Sequence, residues 1–111
     1  MVTAEQIDAY IADIPDIYRE ILTAFPNVEP NRQPRYGLAY QSLWADFQQR
    51  GLAYSLGELM AACEQLASHG LVTIKHGIVV HPTDRGELLI SALTGKTAKS
   101  VPVPALPPPP G

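Results

Sequence analysis

Apolar residues recur every three or four positions over the first quarter of the chain. Ile7, Tyr10, Ile11, Ile14, Ile17, Tyr18, Ile21, Leu22 and Phe25 fall on one helical stripe. Pro15 interrupts that stripe. It disfavours helical geometry at Ile14 but suits the first turn of a helix, so Asp13 can cap a new segment. The pattern predicts two helices, roughly 4 to 13 and 15 to 25, or one kinked helix. Pro26 to Pro34 holds three prolines and two asparagines and reads as a loop. Tyr36, Tyr40, Leu43, Trp44 and Phe47 then share a second helical face, with Gly51 as its terminator.

Ser55-Leu56-Gly57-Glu58 is the clearest helix start in the chain, because a Ser and a Glu three apart can cap each other's backbone amides. Leu56, Leu59, Met60, Cys63, Leu66 and Ala67 trace a buried stripe behind it, and Gly70 ends the helix. Leu71 to Lys75 and Ile78 to His81 are β-branched runs joined by His76-Gly77, a two-residue hairpin turn in which Gly supplies the positive φ. Pro82-Thr83-Asp84 opens a last helix. Asp84 and Glu87 are spaced as a second capping box, Leu88, Leu89, Ala92 and Leu93 are apolar, and Gly95 stops it. Six prolines between Val101 and Gly111 predict an extended, disordered tail.

The expected class is therefore mostly α with a small β-hairpin. A helical extension occupies 1–14, one folded domain occupies 15–95, and the Pro-rich tail occupies 96–111. A chain of 111 residues, 46% hydrophobic and 17% charged, has room for one domain and one small core. No apolar run approaches the ~20 residues of a spanning helix, and Glu5, Asp8 and Asp13 stand where a secretory signal carries Lys or Arg. The expectation is a cytoplasmic protein with no membrane partner. Cys63, the single cysteine, cannot form an internal disulfide.

Three phrases carry a resemblance. Leu66-Ala67-Ser68-His69-Gly70-Leu71-Val72 resembles the junction that closes the recognition helix in bacterial MarR-like and PadR-like regulators. Thr83-Asp84-Arg85-Gly86-Glu87-Leu88-Leu89 looks like the phrase with which those families begin the helix after the wing. Tyr40 to Val72 is similar to the C-terminal winged helix of archaeal origin-binding proteins of the Orc type. The resemblance implies a winged helix-turn-helix with an extra N-terminal helix, and therefore duplex DNA as partner. In that fold the third helix enters the major groove and the wing touches backbone or minor groove.

On that implication the duplex-facing positions are Ser55, Gly57, Glu58, Ala61, Ala62, Gln65 and Ser68. Gln65 can pair with adenine, and Ala61 or Ala62 can touch a thymine methyl. The face has no Arg or Lys, and Glu58 and Glu64 oppose a polyanion, although Glu58 is explained as the capping partner of Ser55. Phosphate anchors are expected at Arg32 and Arg35 beside Tyr36, or these arginines form a solvated loop tip. Lys75 and His76 stand at the wing tip, in a turn with little reach.

Net charge is -3, which argues against a protein that coats nucleic acid nonspecifically. Six of the 11 acids, Glu5, Asp8, Asp13, Asp16, Glu20 and Glu29, precede residue 30 with one base, Arg19. The rest of the chain is mildly basic.

The N-terminal helix either forms a homodimer or packs on its own domain. No enzyme is expected, and no cofactor or metal. His76 and His81 are on the order of 15 Å apart along a strand. Cys63 lies on the buried stripe, and Tyr36, Tyr40, Trp44 and Phe47 read as core aromatics before a stacking platform. The leading expectation is a small transcriptional regulator binding DNA as a dimer. Its rival is a winged helix used for protein contacts, in which the acidic third helix and the Pro-rich tail meet protein partners.

Overall fold

Each apolar stripe becomes a helix. The computed structural model describes residues 4–28 and 37–94, and in it α1 spans Ala4–Asp13 and α2 spans Asp16–Val28, so Pro15 separates two helices. Arg19 clamps the junction. Its Nη1 donates to the carbonyls of Ile11 at 2.6 Å and Ile14 at 3.0 Å, satisfying the end of α1, while Nη2 pairs with Asp16.

α2 runs one turn further than the sequence predicts, through Pro26. A proline this near a helix end costs little more than its missing amide, and the wholly buried Ile21, Leu22, Ala24 and Phe25 hold the turn before it in place. α2 is the centre of the molecule, packed against α3 (Tyr40–Gln49), α4 (Leu56–Ser68) and α5 (Asp84–Thr94).

A short strand escaped the hydrophobic pattern. Leu38–Ala39 forms β1, so the second aromatic helix starts at Tyr40. β2 is Val72–Lys75 and β3 is Val79–Pro82, and the antiparallel sheet has the order β1-β3-β2. Leu38 faces Val80 and Ala39 faces Val79, while Val72 to Lys75 pair with Pro82 to Val79. Gly37 makes the entry to β1 possible: its φ is +91°, and a Cβ there would lie 2.8 Å from the Val80 carbonyl oxygen. In the hairpin, His76 shares the left-handed conformation with Gly77, at φ 56° and 70°, and the Ile78 amide closes the turn on the Lys75 carbonyl at 3.2 Å.

α3 and α4 end alike. The Leu52 amide donates to Phe47 and that of Gly51 to Gln48; the Leu71 amide donates to Leu66 and that of Gly70 to Ala67. Both are Schellman closures, with an apolar residue on each side of the second turned back onto the core at Leu66 and Leu71. α5 is capped by Thr83, not by the Asp84–Glu87 box the spacing suggests. The Thr83 Oγ1 accepts from the Gly86 amide at 3.2 Å and donates to the Gly70 carbonyl at 2.7 Å, and the Thr83 amide donates to Leu71. One hydroxyl thus ties the end of α4 to the start of α5.

The core holds Ile7, Tyr10 and Ile14 of the first helix and linker together with Phe25, Leu43, Phe47, Leu59, Leu66, Val80 and Leu89. Ile90, absent from the sequence-predicted stripe, is buried as well. The architecture is mostly helical with one small three-stranded antiparallel sheet.

Candidate functional site

The capping box predicted at the start of α4 is present. Ser55 Oγ accepts from the Glu58 amide at 3.1 Å, and Glu58 Oε1 accepts from the Ser55 amide at 3.0 Å. Both side chains are exposed, but each is held by this exchange.

Behind the cap, α4 turns Leu59, Ala62, Cys63 and Leu66 into the core. This corrects three expectations. Ala62, expected to face outward, is 5% exposed, while Leu56 and Met60, expected in the buried stripe, are 42% and 39% exposed. Successive residues lie about 100° apart around a helix. A buried face centred between Leu59 and Leu66 therefore leaves Leu56 and Met60 on its flank. Ala61, Glu64, Gln65 and Ser68 complete the exposed side, which carries no Arg or Lys.

Lys75, His76 and Ile78 are all exposed at the hairpin, Ile78 at 59%. Tyr40 links this end of the sheet to α4. Its amide donates to the Ile78 carbonyl at 3.0 Å, and its phenol sits close enough to Cys63 and Glu64 to feel both. Burial first, then those two neighbours, raise the Tyr40 hydroxyl above the usual tyrosine range. Cys63 is pushed up to about 12, by burial and secondarily by Glu64. Cys63 is fully buried on the inner side of α4, the core position its place on the stripe predicts.

The structure brings together Ser55, Ala61 and Gln65 on one helix and Lys75 and His76 on one turn. Arg32, Arg35 and Tyr36 lie outside the described residues, as does the Pro-rich tail. Two other bases are committed internally. Arg19 closes the α1 to α2 junction as described, and Arg50 holds a site that sequence reasoning missed. The Arg50 Nε and Nη2 meet Asp46 Oδ2 at 2.8 and 2.6 Å, Nη1 reaches Glu20 Oε2 at 3.2 Å, and Nη2 donates to the Glu20 carbonyl at 2.8 Å. Its guanidinium also lies 5.4 Å from the centroid of the Phe47 ring. The four-residue spacing of Asp46 and Arg50 was the signal available; the link to Glu20, 30 residues away, had none.

Among the described residues no three of His, Cys, Asp and Glu stand together as a metal site, and no helix is long and apolar enough to cross a membrane. Compared with protein-family models, curated proteins and solved structures, the chain matches none.

Proposed function

We propose that this chain is a cytoplasmic winged helix-turn-helix module whose third core helix, α4, serves contacts with a protein. The fold reading is supported by the order α2, β1, α3, α4, β2, β3 and by the pairing of β1 with β3, which closes a three-stranded sheet beside the helices. One observation carries the functional reading. The exposed surface of α4 presents two large apolar side chains, Leu56 and Met60, on one flank with Glu64 next along their row, and Glu58 on the other flank, with no cation among them. A helix entering the major groove needs donors for base edges and gains from cations near phosphate. This surface offers the opposite chemistry.

Titration against a random duplex at about 50 and 200 mM salt tests the reading. The expected result is no binding at either concentration. Binding at the lower salt that weakens about 60-fold at the higher, the fall that a slope of about -3 gives, overturns it.

The second reading, a dimeric DNA-binding regulator, is favoured by one feature: Lys75 and His76 stand exposed on the hairpin, where a wing meets the sugar-phosphate backbone. On that reading Lys75→Ala lowers affinity for every duplex sequence alike and makes the salt slope shallower by about 1.

A further inference from the structure

We infer that α1 is a strap: a short helix that lifts off α5 as one unit, about a hinge at Ile14 and Pro15, while the rest of the domain stays folded. This inference is independent of the protein-contact reading.

By itself α1 is a poor helix. It has 10 residues, too few to persist alone in water. It holds no Lys or Arg, so no ion pair can form along its surface, and Glu5 and Asp8 are like charges one turn apart. Glu5 suits the start of the helix dipole, but Asp13 puts a negative charge at the end that favours a positive one. α1 therefore persists only while docked, and lifting and melting are one event.

The docking is small and carries a defect. Ile7 and Tyr10 are the buried side chains of α1, with Ile11 half-buried beside them. Tyr10 is 6% exposed, yet its hydroxyl is the one buried side-chain polar atom without a hydrogen-bond partner among the described residues. Burial, and then the neighbouring Tyr18, raise this phenol above the usual tyrosine range. The hydroxyl gives up water when α1 docks and regains it when α1 lifts, so the closed state bears a desolvation cost that the open state does not.

Arg19 is the latch. The Ile14 amide bonds back to Tyr10 at 3.1 Å and Pro15 has no amide to offer, so the helical ladder stops at the hinge. From α2 the Arg19 guanidinium reaches across it to the carbonyls of Ile11 and Ile14. When α1 lifts, it bares the apolar side of α5 against which it packs. A partner that binds this bared surface shifts the equilibrium toward the open state.

Hydrogen exchange of the full chain, read amide by amide by NMR at low urea, tests the inference. The amides from Tyr10 to Ile14 are expected to exchange together, about tenfold or more faster than those of Ile21, Leu22 and Phe25 in α2, and with little dependence on urea. Cys63→Ala, on α4, should speed the α2 amides and leave the α1 group unchanged. Tyr10→Phe should slow the α1 group about fivefold or more, and Arg19→Ala should speed it by a similar factor. Two outcomes overturn the inference. One is a single rate for both helices with equal acceleration by Cys63→Ala, the mark of an α1 that opens only with the whole domain. The other is an α1 group unchanged or faster in Tyr10→Phe, the mark of a hydroxyl already satisfied.

Discussion

At Cys63 the physics of burial has a consequence measurable in bulk. The folded chain holds the thiol at about 12 against an ordinary 9.0. Above pH 9 the unfolded chain therefore gives up a proton that the folded chain retains, and unfolding gains by up to about 1.4 kcal/mol for each pH unit until folded-state ionisation is reached near 12. Stability is expected to be flat with respect to this group below pH 9 and to fall above it. Urea unfolding of wild type and Cys63→Ala across pH 8 to 11 checks this: the substitution costs stability at pH 8 but flattens the alkaline decline. Raised tyrosines at 10, 18 and 40 add a decline of their own above pH 10, so the difference between the two chains is the quantity to read. Gly86 shows a second kind of residue constraint. A Cβ there would stand 2.1 Å from the Leu71 carbonyl oxygen, a backbone atom already receiving the Thr83 amide. Gly86→Ala should cost about 1–3 kcal/mol in urea unfolding, despite its favourable helix propensity.

Among elements, the joint between α2 and α3 depends on Arg50. Asp46 is 6% exposed, and its charge is compensated there by a guanidinium that also reaches Glu20. Arg50→Ala leaves a buried carboxylate without a partner and is expected to cost about 3 kcal/mol. Adding Asp46→Asn should recover part of that loss, since the orphaned charge goes with it; a double-mutant cycle by chemical denaturation measures the coupling. This joint also explains what the sequence could and could not tell. The helices, their Ser55 and Gly70 ends and the hairpin were legible because each is written locally, as a period, a cap or a turn pair. β1 was not, because two residues carry no period and Leu38 is a strand residue only once Val80 lies opposite it. The exposed sides of Leu56 and Met60 were hidden for a related reason: α4 has more apolar positions than its neighbours can cover, and which of them face inward is decided by the packing of α2 and α3.

For the whole molecule the open question is how α1 contributes. Its apolar stripe was expected either to meet a second copy or to pack on its own domain. In the single chain Ile7 and Tyr10 are 8% and 6% exposed, Ile14 is 3% exposed, and α1 packs against α5. Most of the stripe is thus already covered without a partner. What remains outward on α1 is Glu5, Gln6, Asp8, Ala9, Ala12 and Asp13, a surface that in a symmetric pair would set carboxylates against carboxylates. These facts separate two behaviours. If α1 belongs to its own core, the unfolding midpoint is independent of protein concentration, because no association is linked to folding. Ile7→Asp then lowers stability by about 3 kcal/mol at every concentration, the cost of placing a charge in a packed apolar site. If α1 instead joins two copies, the midpoint rises with concentration and Ile7→Asp abolishes that dependence. Thermal unfolding over a hundredfold range of protein, with and without Ile7→Asp, should give the first pattern.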